Sequence, residues 1–266
     1  MSKKLRSSFL DFLQRNRLGI APQGELERFC QAFLDKDVLT LAPMVRDYLG
    51  FGDLLSHFED LSNRSQWFPS HDEMRRMSDA QYCAMHERTF AIQGALCDPR
   101  SEAALLAYLM QWSKFEAGAV ADIGGGTCHQ LSFLKLEGKI PGQCIGLDGS
   151  SPIIRIGKQI ASVEGIDVSF VKGICTDLPF LAGSIGQIWM VDVLPWVMGW
   201  KKSLRETSRV LIPGGRIILA ISCTGANARS SIEPASAVSY LEELGFKIEN
   251  ITRGLNLRDC IAADKR

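Results

Sequence analysis

The sequence has no surplus of charge in either direction: 30 lysines and arginines balance 30 aspartates and glutamates. Proteins that live on phosphate backbones usually carry a basic excess or stripe, so the charge gives no reason to expect a nucleic-acid partner. The eight cysteines form no CxxC pair, and no Cys/His spacing suits zinc. Scatter of this kind reads as buried free thiols in a reducing compartment, which makes a cytoplasmic location the expectation and a bound metal not one. No apolar run reaches the roughly 18–20 residues of a membrane span. The stretch Ile185–Trp200 comes closest, and Gln187, Asp192 and Pro195 interrupt it. There is no internal repeat and no low-complexity segment. A small-molecule partner is expected, without membrane, in a monomer or homodimer.

What is present is apolar residue enough for a full core, 46%, in 266 residues. That length suits one catalytic domain with an extension. Met1–Arg17 sets Lys3, Lys4, Arg6, Arg15 and Arg17 around Phe9, Leu10, Phe12 and Leu13. Such a basic amphipathic start is either an ordinary helix or a targeting or surface-anchoring segment, and Asp11 favours the ordinary helix.

The chain changes character near residue 116. Before it the apolar spacing is helical, at Leu26–Val38 and again at Leu54–Leu61. A capping-box pattern at Ser70–Glu73 predicts a helix running to about residue 95, and Asp98-Pro99 predicts another to about 114. After it, short apolar runs at 119–123, 143–147, 168–171, 188–191, 216–220, 247–251 and 259–263 alternate with helical stretches at 128–137, 152–163, 196–211 and 234–244. This alternation predicts an α/β fold, a doubly wound, mostly parallel seven-stranded sheet, with the last two strands antiparallel because only a short link joins them. Residues 1–115 would form a helical lid for substrate recognition, and 116–266 the catalytic core.

The most informative stretch is Val120-Ala-Asp122-Ile-Gly124-Gly125-Gly126-Thr-Cys128, an apolar strand entering three glycines and then a helix. Glycine permits the tight turn and lets a ligand approach the backbone, and the amides at the helix start face an anionic group. The next strand ends in Ile145-Gly-Leu147-Asp148-Gly149-Ser150, with a carboxylate 22 residues beyond Gly126. At a strand end in a βαβ unit such an acid accepts hydrogen bonds from both ribose hydroxyls. These residues point to an adenosine-containing ligand and leave a dinucleotide and S-adenosylmethionine both open.

Residues 117–222 resemble the core of class I S-adenosylmethionine-dependent methyltransferases, especially the branch acting on small molecules and quinones. The matching pieces are the two loops above, Gly173-Ile174-Cys175-Thr-Asp177-Leu-Pro-Phe180, and Leu204-Arg-Glu206-Thr-Ser-Arg209-Val-Leu-Ile-Pro213-Gly-Gly215. The resemblance implies S-adenosyl-L-methionine as cofactor. It puts Asp122, Gly124, Gly125 and Gly126 at the methionine end and Asp148 with Gly149 at the ribose. Gly173, Ile174 and Cys175 fall beside adenine, and Val191 and Asp192 near the transferable methyl. Three positions depart from the family pattern: Cys128 stands for a third glycine, Ile174 for an aspartate that binds the adenine amine, and Gly186-Gln187 for a Phe-Asp-type strand start.

Methyl transfer from a sulfonium is an in-line displacement in which alignment supplies much of the rate, so a fixed catalytic motif is not required. The Asn/Asp-Pro-Pro-aromatic tetrad of amino-methylating nucleic-acid enzymes is missing after the fourth strand, as is a Pro-Cys nucleophile. Candidates for a base are Tyr82 and His86, spaced i, i+4 on a predicted helix, and Asp192, with Glu87 and His129 as further titratable groups. Trp196 and Trp200, also i, i+4, are candidates to hold a flat or cationic substrate, with Trp67, Phe68, Trp112 and Phe115 as possible additions to that wall. Two other readings stay open: a cofactor-dependent cyclisation or rearrangement, and a non-catalytic partner subunit.

Overall fold

In a computed structural model, the structure describes residues 1–16, 18, 71–86, 99–222 and 232–266. The helical patterns at 26–38 and 54–61, and Trp67, Phe68 and Glu87, lie outside these residues. Seven strands form one sheet: β1 (Val120–Ile123), β2 (Cys144–Asp148), β3 (Ser169–Lys172), β4 (Ile185–Val191), β5 (Leu211–Ser222), β6 (Phe246–Leu255) and β7 (Arg258–Lys265). Their order is β3-β2-β1-β4-β5-β7-β6, parallel throughout except that β7 runs antiparallel to both neighbours. The sheet and its terminal hairpin are those predicted.

Eight helices flank it among the described residues: α1 (Lys3–Arg15), α2 (His71–Arg76), α3 (Asp79–His86), α4 (Pro99–Trp112), α5 (His129–Leu136), α6 (Ser151–Glu164), α7 (Trp200–Val210) and α8 (Pro234–Glu243). Strand side chains alternate between faces, and the sheet shows it: Val120, Ile218 and Ala220 pack in one apolar cluster, Ala121, Ile217 and Leu219 in the other. The first cluster takes α1, α4, α5 and α6; the second takes α7 and α8. Two buried faces explain why the strands read as near-continuous apolar runs.

The N-terminal helix belongs to this core. Phe9, Phe12 and Leu13 are buried, with the Phe9 and Phe12 rings 4.9 and 5.5 Å from Phe133. Arg15 meets Glu164 of α6 through bonds of 2.6 and 2.8 Å. The apolar side of α1 is therefore committed to packing, which favours the ordinary helix over a surface anchor. Within the proposed N-terminal region, α1 and α4 share an apolar cluster with the sheet.

The single helix predicted from Ser70 is divided into α2 and α3. The capping box that forms is a later one: Ser78 N–H donates to Gln81 Oε1 at 2.9 Å and Gln81 N–H to Ser78 Oγ at 3.2 Å. A Ser-x-x-Gln start satisfies two orphan donors reciprocally and outweighs continued helical periodicity.

The Gly186-Gln187 departure has a packing reason. The one-turn 3-10 helix Phe115–Ala117 lies directly on β4, so a Cβ on Gly186 would come within 2.1 Å of the Ala117 carbonyl oxygen. Gln187, fully buried, accepts from the Lys114 amide at 2.5 Å and donates to Ser113 Oγ at 2.8 Å. Arg216 closes the same corner, donating to the Trp112 carbonyl and to both oxygens of Asp264. Gly186→Ala is expected to lower unfolding free energy by about 1–3 kcal/mol through overpacking, read from urea denaturation. Gly138→Ala meets no atom but sits at φ +63°, so its loss reads backbone strain alone, beside the contact loss at Gly186, whose φ is not positive.

Candidate active site

The site lies where the sheet order reverses, at the carboxyl ends of β1, β2 and β4, the place a doubly wound sheet offers a ligand. After β1 the chain turns through Gly124 at φ +67° and Gly126 at φ +60°. The Gly124 and Gly125 amides donate to the Leu147 carbonyl at the end of β2, at 2.6 and 3.3 Å. The Gly126 amide donates to Asp148 Oδ2 at 3.0 Å, and the Ser150 amide to Asp148 Oδ1 at 2.9 Å. Asp148 thus ties the two loops together and keeps lone pairs on both oxygens for a ligand hydroxyl.

A cavity of about 250 Å³ opens beside these loops. Gly124, Gly126, Asp148, Gly149, Gly173, Ile174, Cys175, Val191 and Asp192 line it, as do Tyr82 and Trp196 among the predicted substrate-side residues. Asp122 and Gly125 do not line it. Asp122 is 3% exposed and sits under the loop, where a Cβ on Gly125 would fall 2.4 Å from its carboxyl carbon. Burial pushes the Asp122 carboxyl up to about 7, and its Oδ1 has no hydrogen-bond partner.

Cys128 adopts φ +53°, the left-handed conformation that a glycine there would take without strain. Its side chain fills the space over Gly146, whose added Cβ would lie 2.5 Å from Cys128 Sγ. Cys128 and Gly146 therefore pack against each other across the β1–β2 junction.

At the end of the cavity that follows β3, Ile174 and Cys175 form the wall. Burial drives the Cys175 thiol up to about 12, so it contributes a neutral surface. Asp177 is exposed and supplies no polarity to the cleft. The motif on α7 explains itself here: Glu206 Oε2 accepts from the Leu178 amide at 2.9 Å, and Arg209 donates to the Leu178 and Phe180 carbonyls, each at 2.9 Å. Glu206 and Arg209 hold in place the loop that follows Cys175.

At the other end Asp192 also has positive φ, +54°. Its Oδ2 accepts from Arg258 Nε at 2.6 Å, and the Ser222 side chain also reaches this carboxylate. Arg258 also donates to Ser101 Oγ at 2.6 Å and lies 3.6 Å from Glu102 Oε1. Glu102 in turn bonds His129 Nε2 at 3.0 Å and Gln130, and His129 Nδ1 meets Thr127 Oγ1 at 3.1 Å. His129 is therefore held in a buried structural network.

Tyr82, on α3, is buried against the cleft. His86 shares that helix, and its side chain lies outside the described residues. Trp200 does not join Trp196. The predicted helix begins late, because Leu194–Trp196 is a 3-10 turn and Val197 is extended (φ −110°, ψ 113°), so the i, i+4 relation fails. Trp200 packs edge-on against Tyr240 at 5.6 Å, away from the cavity. Trp112 and Phe115 are core residues beside Tyr108 and Trp189.

Sequence reasoning missed Asp79, Cys83, Val193 and Arg258. Asp79 begins α3 and accepts from the Met198 and Gly199 amides at 2.9 and 3.0 Å, pinning that helix across the cleft. The Ser78 capping box marked where α3 starts; no local signal marked Arg258, which is 66 residues from Asp192.

The arrangement fits an adenosine-containing ligand with a charged tail: a carboxylate with free lone pairs at β2, an apolar slot at Ile174–Cys175, and the Asp192 carboxylate after β4. The seven-stranded sheet has the class I methyltransferase fold. Residues 121–219 match the methyltransferase domain family. It is 30% identical over 101 residues to a demethylmenaquinone methyltransferase of Thermus thermophilus, covering 38% of this chain and 45% of that one. It is 32% identical over 116 residues to a ubiquinone/menaquinone biosynthesis C-methyltransferase of Blochmanniella floridana, covering 42% and 45%. The chain spans under half the length of these curated relatives. A geranyl diphosphate methyltransferase solved with sinefungin shares the fold, with a TM-score of 0.54 at 16% identity over 63% of this chain and 79% of that one.

The raised Asp122 has a consequence for stability. Its folded value, about 7, lies above its ordinary 3.8, so the ligand-free protein binds the extra proton between these values. Stability from this group is fully present below 3.8 and is lost as pH rises towards about 7. Asp122→Asn removes that slope. Thermal melts of both proteins from acid to mildly alkaline pH should show the variant gaining on wild type as pH rises; parallel curves would refute it.

Proposed function

We propose that the protein transfers the methyl group of S-adenosylmethionine to an O, N or C nucleophile of a small, apolar, secondary-metabolite-like molecule. The observation that carries this reading is the cavity that runs from Asp148 at the end of β2 to Asp192 and Trp196 after β4. Asp148 would take the ribose hydroxyls, with Ile174 and Cys175 against the adenine and the Gly124–Gly126 backbone along the methionine portion. The sulfonium supplies an already activated methyl. The chain's task is then to orient the nucleophile and keep water out, for which Tyr82, Val193, Trp196 and Val197 provide an apolar wall. Tyr82, His86 and Asp192 are the groups proposed to orient or deprotonate the nucleophile; Tyr82 is the one buried at the cavity with its hydroxyl on α3. The quinone-ring substrates named for the two curated relatives support a flat aromatic acceptor.

Isothermal titration should give micromolar binding of S-adenosylmethionine. Asp148→Ala should weaken it by about 10–100-fold, the worth of hydrogen bonds to a charged group. No binding at millimolar cofactor would end the proposal. With labelled cofactor and metabolite extracts, a product about 14 Da heavier than its precursor marks methylation, whereas unchanged mass marks a rearrangement.

A further inference from the structure

The helix that lies over the cleft is held there at two points. Asp79, Tyr82 and Cys83 of α3 all line the cavity. On the β2 bank, Cys83 rests against Gly149, where an added Cβ would come within 3.0 Å of its Sγ. On the β4 bank, the Met198 and Gly199 amides donate to Asp79 Oδ1 and Oδ2 at 2.9 and 3.0 Å. The first contact is a packing contact, and the second is a pair of charge-assisted hydrogen bonds, the stronger kind. Gly199 is the N-cap of α7 and brings no capping side chain, so Asp79 supplies from another helix what that terminus lacks. Between the two anchors, Ala80 and Gln81 are exposed and Tyr82 is buried.

With α3 in this place the cavity measures about 250 Å³. That is below the roughly 300–1,000 Å³ of small-ligand sites, and the proposed reaction needs room for a cofactor and an acceptor together. The element that covers the cleft must therefore yield for ligands to pass. Met77 and Ser78, between α2 and α3, are not helical, and the Ser78–Gln81 capping box closes the start of α3 on itself. The helix can turn about these two residues without losing its own first turn. Resting on the methyltransferase reading, we propose that Asp79 is the latch of this gate. It is a positioning residue that acts through α3: its bonds to Met198 and Gly199 hold the helix shut and set how fast S-adenosyl ligands enter and leave. A ligand passes in either direction only through the open state. Removing the latch then speeds association and dissociation together and changes affinity little.

The test is stopped-flow fluorescence of the full chain with S-adenosylhomocysteine, read through Trp196 at the cavity. Asp79→Ala should raise the association and dissociation rates about tenfold each, the scale of one charge-assisted hydrogen bond, and keep the dissociation constant within about threefold. Asp79→Asn, which keeps one acceptor oxygen and loses the charge, should fall between wild type and Asp79→Ala. Unchanged rates overturn the latch. Slower association with weaker binding also overturns it, since that is the mark of a damaged site and not of an opened one. Wild type alone supplies a second check: by hydrogen exchange, the Met198 and Gly199 amides should open well before those of β4 and β5. Exchange of these amides only together with the sheet overturns the proposal whether or not the variants fold. No binding of S-adenosylhomocysteine to wild type would instead bring down the methyltransferase reading on which the latch rests.

Discussion

The site depends on how closely the first two parallel strands deliver their ends to each other. The Gly124, Gly125 and Gly126 amides reach the Leu147 carbonyl and the Asp148 carboxylate, so the glycine turn is stitched to β2 before any ligand is considered. That closeness forces the rest. Gly125 must lack a side chain because Asp122 lies underneath it, and Gly124 must lack one because Val193 closes from β4. Asp122 is then sealed in, at the cost of a raised carboxyl.

Much of the protein was legible in its sequence because short-range physics decides it. A buried parallel strand needs an apolar run, a tight turn needs glycine, and a crossover helix needs an apolar face; all seven strands and the core helices announce themselves this way. The cofactor loops were legible for the same reason. The N-terminal third was less so, because periodicity alone does not say what a helix packs on. It gave no hint that Phe9 and Phe12 join Phe133 in the core, and the Ser78 capping box was passed over for a longer repeat.

The substrate side shows the limit of spacing arguments. Trp196 and Trp200 look paired only if one helix spans both, and a single extended residue at Val197 sends the second indole to Tyr240. Arg258 was invisible for a different reason. Its partners Asp192, after β4, and Ser101 and Glu102, on α4, meet it at the terminal hairpin, a meeting that only the sheet order brings about. Long-range ion pairs of this kind leave no local pattern to read.

The contact between Cys128 and Gly146 couples two positions that lie far apart in the chain. A Cβ on residue 146 would fall 2.5 Å from Cys128 Sγ, so a bulkier residue at 146 is admissible only with a smaller one at 128. The two positions therefore have to vary together, and a substitution at either one is misjudged when it is weighed alone.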